Sequence, residues 1–317
     1  MLALPTPLVQ PFVVAGEVVL KIVVDLTVYL VGPTDRQLDE LCALYERFCP
    51  PQRRVAYLTD ELVAWTDIAV PELTQSGRVA AAAGVPRPYL EPSRNRLRQA
   101  RAVAVSFWDR REPGDPEDSW SFSLRQIKRR STGLHAFVRF LLPLATEPAL
   151  LWEMAKALAD TVPFRSGHGG LAFGYDPAER GPASDETFAR ARRYWGVDVE
   201  DLDTTLPLMN DRIKGVSWMT LVGNELAVGV EGNLRPLVAD GTVQVESRRH
   251  GQLIRIGEHP IAGDRNKPDG SLDPYFRLAG ALEPLYLDHC PDFYGERFQS
   301  TGKTTGWIRR FLEPAGW

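Results

Sequence analysis

Over residues 18–30 the even positions Leu20, Ile22, Val24, Leu26, Val28 and Leu30 are all apolar, with Lys21, Asp25, Thr27 and Tyr29 between them. A period of two kept up this long predicts one long strand with a single buried face. Gly32-Pro33 stops it. Thr34 then stands three residues before Gln37, the spacing of a capping box, and Leu38, Leu41, Tyr45 and Phe48 recur at helical intervals. An amphipathic helix is therefore expected, ended by Pro50-Pro51. Strands follow over 101–108, 120–124 and 134–142, the first two joined by the turn-forming EPGDPED segment at 112–118. Between the first helix and these strands, residues 77–99 are rich in Ala, Pro and Arg and show no clear period. A helix over about 147–162 carries Leu150, Leu151, Met154 and Leu158 on one face.

The second half repeats the rhythm. A strand at 169–175 leads to a helix near 185–195 with Phe188, Ala191 and Trp195 inward, then to strands at 213–222, 242–246 and 253–257. A last helix opens with Asp273 as its cap and Pro274 in its first turn, and continues through Tyr275, Phe276, Ala279 and Leu282. Short links between strands predict an α+β fold with largely antiparallel sheets and packed helices. It would have two strand–helix–strands–helix halves, 1–163 and 164–317, either separate or joined in one unit. No repeated motif marks a duplication.

Composition is that of an ordinary globular protein, 44% hydrophobic and 25% charged in 317 residues. The formal charge of -4 argues against a chain whose main task is gripping nucleic acid. The apolar start has no basic residue before Lys21, and Lys21 and Asp25 interrupt any membrane span, so neither a secretory signal nor a transmembrane helix is expected. Three cysteines, Cys42, Cys49 and Cys290, form no C-x-x-C pair and suit a reducing cytoplasm.

Templates for chemistry fail one after another. GKTT at 302–305 lacks the upstream glycine of a phosphate loop, whose place is taken by Arg297. None of the five histidines is placed for H-E-x-x-H, and each reads as a satisfied structural or surface residue. RSGHGG at 165–170 is not a nucleophile elbow, and its glycines read as close strand packing. GDRNKPDG at 263–270 puts Pro268 where a calcium loop needs an oxygen ligand. No catalytic residue, cofactor or metal is expected. Two features remain. Arg94, Arg96, Arg98 and Arg101, with Lys128 to Arg130, form basic clusters near Phe107 and Trp108, but six acidic residues from Glu91 to Asp118 dilute their field. The run DVEDLD holds Asp198, Glu200, Asp201 and Asp203 with no basic residue until Arg212. It reads as a solvated acidic face, or more sharply as a docking patch for a basic partner.

Five segments, GGLAFGY, RYWGVDVEDL, IKGVSWMTLVG, IRIGEHPIAGDRN and YFRLAGALEPLY, fall in that order between Gly169 and Tyr286. Together with GLHAFVRFLLP at 133–143, they give a chain that resembles the TsiV-like type VI secretion immunity family. The resemblance implies a cytoplasmic protein encoded beside a toxic effector, often a nuclease of the restriction-endonuclease type. Such a protein binds its toxin one-to-one, occludes the active site or substrate groove, and has no catalytic residues to carry over. Charge complementarity, and not the family motifs, then suggests that Asp198, Glu200, Asp201 and Asp203 compete for a basic DNA groove, with Trp195 as an aromatic anchor. A nucleic-acid-binding module, or an enzyme acting on the toxin's target, is the alternative.

Overall fold

A computed structural model describes residues 4–48, 54–58, 63–67, 90–108, 120–129, 133–175, 180–267 and 271–317. A short helix α1 (Thr6–Val9) leads into strand β1 (Phe12–Val14), which turns through Ala15-Gly16, both at positive φ, into β2 (Glu17–Leu30). The capping box is formed, Thr34 N–H donating to Gln37 Oε1 at 2.8 Å and Gln37 N–H to Thr34 Oγ1 at 3.2 Å, and it opens α2 (Asp35–Phe48). Strands β3 (Arg54–Leu58) and β4 (Val63–Asp67) and helix α3 (Glu91–Arg98) precede the meander β5 (Val103–Trp108), β6 (Ser121–Arg129) and β7 (Gly133–Leu142). Helix α4 (Pro148–Thr161) leads to β8 (Phe164–Gly174), α5 (Arg180–Ala191), β9 (Val197–Asp198) and α6 (Leu202–Thr205). Next come β10 (Met219–Gly223), α7 (Asn224–Ala227), α8 (Glu231–Ala239), β11 (Gln244–Arg248) and β12 (Gly251–Arg255). The chain closes with α9 (Asp273–Leu282), α10 (Glu296–Thr301) and α11 (Thr304–Ile308). The expected turn at 112–118, the segment 77–89, Cys49, Arg130 and residues 268–270 lie outside the described residues.

The fold is α+β. One sheet runs β11-β12-β10-β8-β2-β7-β6-β5-β3-β4, with β1 beside β2 and β9 beside β8, and every pairing is antiparallel except β8–β9. Strands β2 and β8 lie side by side at its centre, from Lys21 opposite Gly174 to Leu30 opposite Phe164. They sit this close because β8 carries glycine where bulk would collide: a Cβ on Gly167 would lie 2.7 Å from the Thr27 carbonyl oxygen. From that centre the order outward is β7, β6, β5 on one side and β10, β12, β11 on the other.

Two apolar cores cover the two faces. Val24, Leu26, Val28 and Leu30 of β2 pack into one, with Leu38, Leu41 and Tyr45 of α2 and Met154 and Leu158 of α4. Tyr29, on the intervening side of β2, belongs to the other, with Phe188 of α5, Tyr275 and Leu278 of α9, and Trp307. The single buried face expected of β2 is thus corrected: its intervening positions Asp25, Thr27 and Tyr29 are 1% or less exposed. The elements after β8 roof over what reads as a solvent face. Element boundaries also move. The expected strand at 213–222 begins only at Met219, because Lys214 turns into the protein (below), and the cap position of α9 is Leu272, with Asp273 already helical.

Candidate functional site

The roofed face of the sheet holds a cluster of ionisable side chains assembled by strand register. Thr27 of β2 stands opposite both Arg139 of β7 and His168 of β8, so three polar side chains line up across three strands, with Asp25 two residues along β2. Arg139 donates from Nε (2.9 Å) and Nη2 (2.6 Å) to Asp25 Oδ2, while the Thr27 hydroxyl donates to Asp25 Oδ1 at 2.8 Å. Strand β9 pairs with β8 through Val197 and Asp198 and so lowers the acidic run onto this face. His168 Nε2 lies 2.8 Å from Glu200 Oε2 and 3.1 Å from Asp198 Oδ2. Lys214 closes the set: its Nζ donates to Asp198 Oδ2 (2.7 Å), the Val199 carbonyl (2.7 Å) and Glu200 Oε1 (2.9 Å), using all three of its protons.

Three carboxylates, Asp25, Asp198 and Glu200, thus face three cations, Arg139, His168 and Lys214. Burial works against charge on His168, but the Asp198 and Glu200 carboxylates outweigh it and lift the imidazole to about 9. Burial likewise opposes ionisation of Asp198 and Glu200, and Lys214 and His168 reverse it, holding both below the usual carboxylate range. Asp25, His168 and Glu200 bring one ligand atom each within 4.8 Å of one another, close enough to consider a cation. The site does not fit one. Asp25 and Glu200 already take a guanidinium and an ammonium, which a divalent ion would have to displace from a balanced set. Where the cluster reaches its edge, between His168, Asp198, Lys214, Trp307 and Arg310, the remaining gap admits no water-sized sphere. Arg310 fills that edge, donating to the carbonyls of Trp195 (2.9 Å) and Trp307 (3.0 Å) with its guanidinium 4.0 Å above the Trp307 ring.

The acidic run is therefore not the solvated patch its sequence suggests. Asp198, Glu200 and Asp201 are 6%, 4% and 4% exposed, and Trp195 is 3% exposed. Trp195 is core, its ring edge-on to Phe276 and Phe311 and its indole N–H on the Arg192 carbonyl. Asp201 caps α6, accepts the Tyr294 N–H at 2.8 Å and pairs with Arg180 at 2.7 Å. Asp203 alone among the five points outward, and it pairs with Arg125 and Arg180. Reversing all four acids would put three positive charges into the interior, so that substitution reports on folding rather than on docking. Of the arginine cluster, Arg94 pairs with Asp39 and Glu91, and Arg98 with Asp35 and Glu91, tying α3 to α2. The sequence templates passed over Asp25, Arg139 and Lys214. Their signal was a charged residue inside an otherwise apolar strand, or the one lysine of IKGVSWMTLVG.

The cluster predicts a pH profile. A histidine lifted to about 9 contributes stability that is fully present below its unfolded value near 6.5 and is lost as pH rises through 9. The depressed carboxylates contribute above about pH 4 and lose their contribution on acidification. Chemical denaturation is expected to give a plateau between about pH 5 and 6.5 and a fall on the order of 2 kcal/mol by pH 9. His168→Gln should flatten that alkaline fall, and an unchanged profile in the variant would assign it to another group.

A family profile described as type VI immunity for VRR-NUC matches residues 104–311, more than half of the chain. The chain belongs to this TsiV family. The match takes in every cluster residue except Asp25 and Thr27. Among solved structures, a Pseudomonas aeruginosa T6SS protein, PA0821, is similar with a TM-score of 0.68 at 17% identity, over 95% of this chain and 86% of that one. At that identity the likeness speaks for the fold. No curated protein sequence matches the chain. No helix among the described residues is long and apolar enough to cross a membrane.

Proposed function

We propose that this chain protects the cell that makes it by binding a VRR-NUC nuclease one-to-one in the cytoplasm, covering its active site or DNA groove, and that it acts as a folded surface without catalysing a reaction. The family match over residues 104–311 carries the reading. The charge cluster supports it, although a gathering of His, Lys, Asp and Glu is also what an enzyme would present. Here the groups consume one another: every Lys214 proton is bonded within the chain, and the gap beside it is too small for water. A substrate would first have to break several buried ion pairs. A structural role, pinning β9 and the 213–218 segment onto the sheet, needs no such opening. Cleavage of DNA by a purified VRR-NUC nuclease is expected to stop when this chain is added, and undiminished cleavage would contradict the proposal.

A further inference from the structure

The buried acids leave open which surface meets the nuclease. The described residues contain a single exposed aromatic, Tyr294, at 47%. It is not held loosely. Its N–H is fixed by buried Asp201 at 2.8 Å, its ring lies 4.4 Å below the Arg180 guanidinium, and the preceding Phe293 is 1% exposed with its N–H on Thr304 Oγ1 at 2.9 Å. Beside Tyr294 opens a surface groove of about 550 Å³ between α5 and α10, lined by Ser184, Asp185, Glu296, Gln299 and Ser300. Asp185 Oδ1 lies out of solvent there without a hydrogen-bond partner among the described residues, and Glu296 is exposed. The charge of Arg180 is already paired with Asp201 and Asp203.

Asp185 and exposed Glu296 set two carboxylates along this concave surface, and a pre-oriented tyrosine on its rim is the kind of residue that anchors an interface at low entropic cost. A nuclease's phosphate-binding surface presents arginine and lysine. We infer that the groove between α5 and α10 is the docking socket for the nuclease, receiving an arginine or lysine side chain from its DNA-binding surface, with Tyr294 as the anchor. This rests on the proposed function and names the surface that performs it. The acidic run then serves docking indirectly, through Asp201, which sets Tyr294 in place.

The test is binding of a catalytically inactive VRR-NUC nuclease to the full chain by surface plasmon resonance, with melting curves for each variant. Tyr294→Ala is expected to raise Kd about 30-fold, equivalent to ~2 kcal/mol, mainly through faster dissociation. Glu296→Lys, at an exposed position, should raise Kd about tenfold, slow association and weaken its salt dependence. Glu231→Lys on α8, an exposed acid that does not line the groove, should stay within about twofold. Wild-type binding together with wild-type affinity in both Tyr294→Ala and Glu296→Lys would overturn the socket and leave the proposed function standing. No binding by the wild-type chain would overturn both.

Discussion

Lys214→Ala is expected to be among the most damaging single substitutions in the protein. The ammonium answers Asp198 and Glu200 together, and it is 4% exposed. Without it two buried carboxylates share only His168, and they must either stay charged against each other or take up a proton. Removing one partner of a buried ionic set costs about 3–5 kcal/mol, which in a chain of this size lowers Tm by something on the order of 10 °C. Arg235→Ala, which removes an equally visible but exposed pair with Glu231, should change stability by less than about 0.5 kcal/mol. Denaturant titration of both variants distinguishes the cases. A loss below about 1 kcal/mol for Lys214→Ala would mean that the cluster does not hold β9 to the sheet.

Gly196→Ala should be comparably severe for a different reason. A Cβ at this position would lie 2.1 Å from the Ile261 carbonyl oxygen, backbone that cannot turn aside as a side chain can. The Gly196 N–H donates to the Ala262 carbonyl at 2.9 Å, so the 194–198 and 261–264 segments run backbone against backbone. Overpacking usually costs 1–3 kcal/mol, and a clash with backbone belongs at or above ~3. Asp198 lies two residues on, so the same shift should loosen the ion cluster and reduce the alkaline fall in stability attributed to His168. Gly232→Ala, in α8 where an added Cβ meets nothing within 4 Å, is the control and should be neutral or slightly stabilising.

How far the sequence could be read depends on how local the deciding physics was. The period-two run of β2 located a strand to within a residue at its start, and Thr34 with Gln37 marked the start of α2, because alternation and capping depend on neighbours a few residues apart. What covers the second face of β2 depends on elements more than 150 residues later, so Asp25, Thr27 and Tyr29 looked like solvent positions. The acidic run misled for the same reason. No basic residue adjoins DVEDLD, yet its counter-charges come from Arg180 ahead of it, Lys214 beyond it and His168 on β8. Trp195, expected as an aromatic anchor, is core instead, as its register with Phe188 and Ala191 also allowed. The glycines of RSGHGG were legible as close packing, but His168 between them gave no hint that β7 and β9 would bring Arg139 and two carboxylates to the same place.

Whether the chain blocks or catalyses is decided by titrating it into a fixed concentration of active VRR-NUC nuclease, well above Kd, and following DNA cleavage. A binding inhibitor must remove activity in a straight line that reaches zero at one chain per nuclease, and pre-incubation time should not move that end point. Complete protection at a small fraction of an equivalent, deepening with time, would show turnover and contradict the account.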